Sequence, residues 1–135
     1  MHTTNYFNTF IAVADDCPVT VAEIPPQKAK KTAVNIAFEM IKNNPYQYTS
    51  DEVLFQVFTI KNNIPETDRD TEKNRFFSKG QACFRSSPLA KRYGWGIHHD
   101  AEGKMALYAV ESDEYCNLSQ NVHLKIIKAM SSKRG

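Results

Sequence analysis

The sequence predicts one α+β domain over residues 1–135, in which a small antiparallel sheet packs against several helices. Three observations predict it. The length of 135 residues, with 41% apolar and 24% charged residues, is typical of one globular domain with one core. Strand-like segments occur near the start and again in the C-terminal half, where two of them form a hairpin. Helical patterns fill most of the chain between them.

The first predicted elements are a strand and a long helix. Tyr6–Ala14 alternates loosely and is rich in Phe, Thr, Ile and Val, which favours a strand. Pro25-Pro26 precedes a predicted helix over Lys28–Asn43, because proline suits the first helical turn and little beyond it. The apolar positions of this helix recur at helical spacing and are so broad that we expect it at the centre of the core.

Two more helices are predicted before residue 78. Thr49 and Glu52 have the spacing of a capping box, in which each side chain bonds the backbone N–H of the other residue. The following residues 53–60 have a strand-like composition and a helix-like spacing, and the start signal favours helix. Pro65, with acidic residues after it and basic residues later, predicts a short helix to about Phe77.

A short helix and a hairpin are predicted next. Ser87-Pro88 gives a helix start, and Gly94 suits the left-handed residue that ends such a helix. Residues 95–99 and 104–111 read as two strands. The loop between them has hairpin length and contains Gly103, which tolerates positive φ.

The end of the chain is predicted to be helical with a short basic tail. Ser112-Asp113-Glu114 is a start signal, and residues 120–131 are expected to continue or follow this helix. Val122, Ile126 and Met130 support that expectation, because they repeat at four-residue spacing. We expect the basic side chains to complement the dipole of this helix.

The composition also restricts the class of function. The cysteines Cys17, Cys83 and Cys116 are widely spaced and odd in number, which indicates a reducing compartment. We expect a cytoplasmic protein without membrane contact, since no apolar run could span a bilayer and no signal-peptide pattern begins the chain. No metal or cofactor is expected, because zinc-binding spacings are absent. The oligomeric state stays open.

The segment 76–111 is the richest in reactive groups and holds the only tryptophan. It places hydroxyl groups and cations around a predicted helix start, where exposed amides attract anions. The first hypothesis is therefore a binding domain for an anionic molecule or partner, although a capped helix with solvated basic residues explains the same pattern. The candidate binding residues are Lys79, Arg85, Ser86, Ser87, Lys91, Arg92, Trp95 and His98.

An enzyme is the second hypothesis. His98 and His99 point to opposite faces of a strand, so only one of them can line a given site. That histidine could act as a general base with Glu111 as its orienting carboxylate, or it could be structural. Cys83 could be a nucleophile activated by Arg85, but its apolar neighbours favour a buried thiol.

Two other interpretations concern aromatic and basic residues. Trp95 could belong to an aromatic platform, but we favour a core position in which its indole N–H binds a carbonyl. A nucleic-acid or protein interaction module is the third hypothesis, which the small net charge of +2 does not favour. Its candidate residues are Lys125, Lys128, Lys133 and Arg134.

Three segments resemble a family of small bacterial proteins of unknown function: NTFIAVADDCP, NNPYQYTSDEV and FFSKGQACFRSSPLAKRYGWGIHHDAEGKMALYAVES. The resemblance covers nearly the whole chain and implies a bacterial, single-domain, stand-alone protein. It implies no activity and supplies no catalytic residues. The segment MALYAVESDEYCNL is also locally similar to α+β proteins of the YjbR type, which have been discussed as DNA binders.

Overall fold

The computed structural model describes residues 1–132 and has the expected α+β fold. The helices are α1 (Ala33–Asn43), α2 (Ser50–Lys61), α3 (Arg69–Phe77), α4 (Pro88–Lys91) and α5 (Asp113–Ser119). The strands are β1 (Thr9–Ala12), β2 (Trp95–His99), β3 (Met105–Ala109) and β4 (Lys125–Lys128). Short 3-10 turns lie at Glu66–Asp68 and Phe84–Ser86.

The four strands form one mixed sheet in the order β3-β2-β1-β4. The predicted N-terminal strand and the hairpin are present, and they pair antiparallel, with Ile11 opposite Ile97. The sheet also contains β4, which the sequence did not predict and which pairs with β1 in parallel, so the sheet is mixed. Gly94 and Gly103 both have φ of 82°, as their predicted roles at the helix end and in the hairpin loop require.

The predicted helix over residues 120–131 is also wrong, since β4 occupies its centre. Ile126 and Ile127 alternate in this strand, so that Ile127 packs against the core while Ile126 is 38% exposed on the other face. The four-residue repeat does not mark a packed helical face, because Val122 is 89% exposed. Because Lys125 and Lys128 lie in a strand, a helix dipole does not explain these basic residues.

Helix α1 begins at Ala33, five residues later than the predicted Lys28. Thr32 is its N-cap and forms a capping box with Asn35. This box supplies hydrogen-bond acceptors to backbone N–H groups at the helix start, which proline side chains cannot do. The Asn35 side chain also donates to the carbonyl of Pro26 at 3.0 Å. The diproline segment therefore packs against the first turn instead of forming it.

Helix α2 follows the prediction closely. Thr49 and Glu52 form the expected capping box, and residues 53–60 are helical. Helix α3 is polar and is attached to α2 by four phenylalanines whose rings contact one another: Phe55, Phe58, Phe76 and Phe77.

The main core lies between one face of the sheet and helices α1, α2 and α4. Trp95 is buried there, with its ring centroid 5.3 Å from that of Phe38. The Trp95 indole N–H donates to the carbonyl of Glu23 at 2.8 Å, which confirms the predicted core position. The opposite face is covered by α5, where Tyr115 packs edge-on against Phe10.

Candidate functional site

A pocket of about 320 Å³ opens between α1, α2 and the chain just before α4. Its walls are mostly apolar, with Ala37 from α1 and Val57 from α2 among the lining residues. Its hydrogen-bonding side chains belong to Thr32, Cys83, Ser86 and Ser87. We refer to this cavity as the Cys83 pocket.

The fold positions each wall of the Cys83 pocket by local rules. Leu54 and Val57 are three residues apart, so they lie on one face of α2 and point at α1. Thr32 lies at the pocket because it caps α1. Ser87 lies there because it caps α4, its Oγ accepting from the Leu89 N–H at 3.2 Å.

Cys83 is half-buried, with its Sγ 3.1 Å from the hydroxyl of Tyr6. Burial and the contact with Cys83 raise the pKa of the Tyr6 phenol to about 12, while the charge of Arg85 lowers it slightly. The phenol is therefore neutral at pH 7 and able to share a hydrogen bond with the thiol. Cys83 lies in the pocket wall, so it is only partly the buried thiol that its neighbours predict.

Arg85 is exposed and binds the strand next to it. Its Nε donates to the carbonyl of Lys128 at 2.8 Å, and its backbone carbonyl accepts from the Met130 N–H at 2.9 Å. Within residues 1–132 the two terminal nitrogens of the guanidinium have no protein partner, so they keep donors for another group. Both neighbours of Arg85, Phe84 and Ser86, line the pocket.

The structure brings together only part of the predicted anion site. Ser86 and Ser87 line the Cys83 pocket beside Arg85, and the Ser86 hydroxyl donates to the sulfur of Met130 at 3.2 Å. Arg85 itself is not a lining residue, and the remaining candidates do not line this pocket either: Lys79, Lys91, Arg92, Trp95 and His98. The eight residues therefore do not form one cleft.

His98 belongs to a second group of polar side chains, on the face of the sheet opposite the main core. The hydroxyl of Tyr46 lies 2.7 Å from His98 Nδ1 and 2.8 Å from the Tyr108 hydroxyl. Burial lowers the pKa of His98, against an opposite effect of Asp100. We call Tyr46, His98 and Tyr108 the His98 cluster.

His99 faces the opposite side of β2, as alternation along a strand predicts, and it is fully buried. Neither ring nitrogen has a hydrogen-bond partner, and burial lowers its pKa to about 4. The proposed pair with Glu111 does not form, because that carboxylate accepts from the Ala22 N–H at 3.0 and 3.2 Å. Within residues 1–132 neither histidine is oriented by a carboxylate.

Two of the basic residues of the third hypothesis belong to the edge strand β4. Lys125 and Lys128 are the ends of β4, and Lys128 forms an ion pair with Asp15 at 2.6 Å that raises the pKa of the lysine. Lys133 and Arg134 lie outside the described residues. Nucleic-acid binding stays a prediction.

Two general properties bear on the site. In the described part of the chain, no group of three or more His, Cys, Asp or Glu side chains is placed to hold a metal ion. Among the same residues, no helix has the length and apolar character to cross a membrane. The expected cytoplasmic location stays a prediction.

The fold and pocket define a small α+β domain with a mostly apolar cavity. The chain matches a family model along residues 1–135, and it belongs to that family, which is described as a Family of unknown function (DUF6157). The resemblance to an uncharacterised family is thereby confirmed. No curated protein and no solved structure matches the chain. The bacterial origin and the likeness to YjbR-type proteins stay predictions.

Sequence reasoning missed the residues that complete both groups. Tyr6 contacts Cys83 from 77 positions away, and Tyr46 contacts His98 from 52 positions away. No local spacing signals such pairs. Ala37 and Val57 were recognisable only as apolar positions of helices, because a pocket wall and a core have the same pattern.

Proposed function

We propose that this protein binds a small anionic ligand with a largely apolar body in the Cys83 pocket. The observation that carries the proposal is the cavity itself, which has mostly apolar walls and a few hydroxyl and thiol groups. Such a combination is usual for small-molecule sites. The volume of about 320 Å³ is near the low end of that class, which favours a medium-chain or aromatic acid over a larger cofactor.

The charges near the pocket favour an anion. Among residues 1–132, no acidic residue lines the cavity. The Lys61 ammonium donates to the carbonyl of Lys31 at 3.4 Å, next to the lining residue Thr32. In the sequence, Arg85 directly follows the lining residues Cys83 and Phe84. The terminal nitrogens of its guanidinium are available to another partner. A carboxylate near these cations would leave the apolar part of the ligand against Ala37 and Val57.

The ligand class can be tested by calorimetry with straight-chain and aromatic carboxylates and with the primary amide of each acid. We expect an acid to bind more tightly than its amide, and the difference to shrink as salt is added, because salt screens exposed charges. Equal binding of acid and amide would overturn the anionic part of the proposal. If neither binds, the pocket is not the site of such a ligand.

The location of the ligand can be tested with two matched tryptophan variants. Ala82 is exposed in the pocket wall, so Ala82→Trp is expected to block the cavity without disturbing the core. Ala101 is exposed in the loop between β2 and β3, and Ala101→Trp serves as the control. We expect at least a tenfold weaker affinity (~1.4 kcal/mol) only for Ala82→Trp. Equal affinities in both variants would exclude the Cys83 pocket.

The contribution of Arg85 to ligand binding can also be tested with two matched variants. Arg85→Gln is expected to weaken binding of an acid and to leave binding of its amide unchanged. Arg92→Gln removes an exposed guanidinium that lies over the Tyr93 ring, away from the pocket lining, and is the control. The same loss with Arg92→Gln would indicate a general effect of net charge.

A further inference from the structure

The His98 cluster attaches the connection between α1 and α2 to the sheet. The Tyr46 N–H donates to the carbonyl of Met105 at 2.8 Å, and the Met105 N–H donates to the carbonyl of Tyr48 at 2.9 Å. The connection, residues 44–49, therefore lies along the edge of β3. From there the Tyr46 hydroxyl reaches the face that carries His98.

Tyr46 adopts a backbone conformation that opposes this attachment. Its φ is 60°, in the left-handed region that is unfavourable for a residue with a side chain, at a cost of roughly 1–2 kcal/mol. The hydrogen bonds of its hydroxyl to His98 and Tyr108, at 2.7 and 2.8 Å, offset that cost. If these bonds weaken, the backbone strain favours release of the connection.

The surroundings of His98 disfavour a positive charge. The titratable groups near it are Tyr46, Tyr108 and Tyr115 on the same face, and His99 and Asp100 along the chain. Burial raises the pKa of both Tyr46 and Tyr115, so these phenols are neutral at pH 7.

The charge of Asp100 raises the pKa of His98, but burial outweighs it, so the pKa of His98 is lowered. A proton therefore binds more readily when Tyr46 has left and water reaches the ring. By linkage, acidification shifts the equilibrium toward that released state.

We propose that the His98 cluster is a proton-controlled latch on the helix pair α1–α2, closed by neutral His98 and released when His98 is protonated. Its effect on binding rests on the proposed function. Helices α1 and α2 supply two walls of the Cys83 pocket, and residues 44–49 are the direct link between them. Release of this link loosens the pair, so ligand affinity falls at acid pH.

The latch can be tested without any ligand, by amide hydrogen exchange of Tyr46 and Met105 between pH 8 and pH 5, corrected for intrinsic exchange rates. We expect protection to fall several-fold toward pH 5 in the natural protein. His98→Asn keeps an acceptor near the position of Nδ1 and does not titrate, so its protection should fall much less toward pH 5 than that of the natural protein. Tyr46→Phe should be weakly protected throughout.

His123→Asn is the control, because His123 is exposed and removed from the cluster. It should behave like the natural protein. An equal loss of protection in His98→Asn, or no loss in the natural protein, would overturn the latch. If His98→Asn does not fold, direct NMR titration of His98 decides, since the latch requires a pKa below that of an ordinary histidine.

The coupling to the pocket has its own readout. Once an acid is found to bind, its affinity is compared at pH 7 and pH 5 in the natural protein and in His98→Asn. We expect a several-fold loss in the natural protein alone. Equal losses in both would overturn the coupling. If no acid binds at all, the proposed function fails, while the exchange experiment still decides on the latch.

Discussion

The side chain of Arg85 forms a hydrogen bond with the backbone of Lys128, at the C-terminal end of the edge strand β4. The Nε of Arg85 donates to the Lys128 carbonyl at 2.8 Å, and the Arg85 carbonyl accepts from the Met130 N–H at 2.9 Å. Since β4 is an edge strand, these groups would otherwise be open to another chain. Arg85 thus has a structural role besides the ligand contact proposed for it.

Arg85→Ala is expected to lower the free energy of unfolding by about 1 kcal/mol, because the exposed edge loses one charge-assisted hydrogen bond. Urea unfolding measures this. Arg92→Ala is the control, since Arg92 is exposed and its guanidinium lies over the ring of Tyr93. Its change should stay within about 0.5 kcal/mol. Equal losses in the two variants would contradict the structural role of Arg85.

The elements that the sequence predicts well are those with local signals. Thr49 and Glu52 signal the start of α2 by a pattern only four residues long, and Gly103 signals the hairpin loop. Strand β4 has no such signal, because four residues are too short to show a period. Ile126 and Ile127 form a strand because β1 provides a partner, and β1 lies more than a hundred residues away.

The candidate site shows the same limit. Ser86 and Ser87 were predicted because they belong to a helix-start pattern, and both line the pocket. Tyr46 was visible only as a residue of a turn. Its contact with His98 depends on a left-handed backbone and on the edge of β3, and both are properties of the folded chain.

Gly96→Ala is expected to destabilise the protein by about 1–3 kcal/mol, the usual cost of overpacking. A Cβ at this position would lie 2.4 Å from Cζ of Phe10 and 2.6 Å from Cε2 of Tyr115, and both rings are packed against each other. Thermal unfolding measures the loss. Gly80→Ala is the control, because its Cβ would approach only the His2 side chain, at 4.0 Å. Similar melting temperatures for the two variants would refute the close packing of α5 on the sheet.

Thr49→Ala is expected to cost about 1 kcal/mol of stability, since the Glu52 N–H loses its acceptor at the start of α2. Thr71→Ala serves as the control, because Thr71 is exposed within α3 and caps nothing. Chemical denaturation of both variants should show a loss for Thr49→Ala alone. A loss of the same size for Thr71→Ala would show that the capping box contributes little.

The burial of His99 is expected to make the protein less stable in acid. In the unfolded chain its imidazole takes up a proton near pH 6.5, whereas in the folded protein burial keeps it neutral down to about pH 4. Between these values only the unfolded state gains the proton, so the free energy of unfolding falls as pH falls from about 6.5 to about 4. The shift corresponds to roughly 3 kcal/mol for this one group.

The contribution of His99 is measured as the difference between the natural protein and His99→Phe in urea unfolding at several pH values, because the two proteins differ only at this residue. His99→Phe removes two buried nitrogens without partners, so it should be at least as stable as the natural protein at pH 5. His99→Leu provides a second variant if the larger ring does not fit. His123→Gln should keep the natural pH dependence, since His123 is exposed. An unchanged slope in both His99 variants would mean that this histidine is not held neutral by burial.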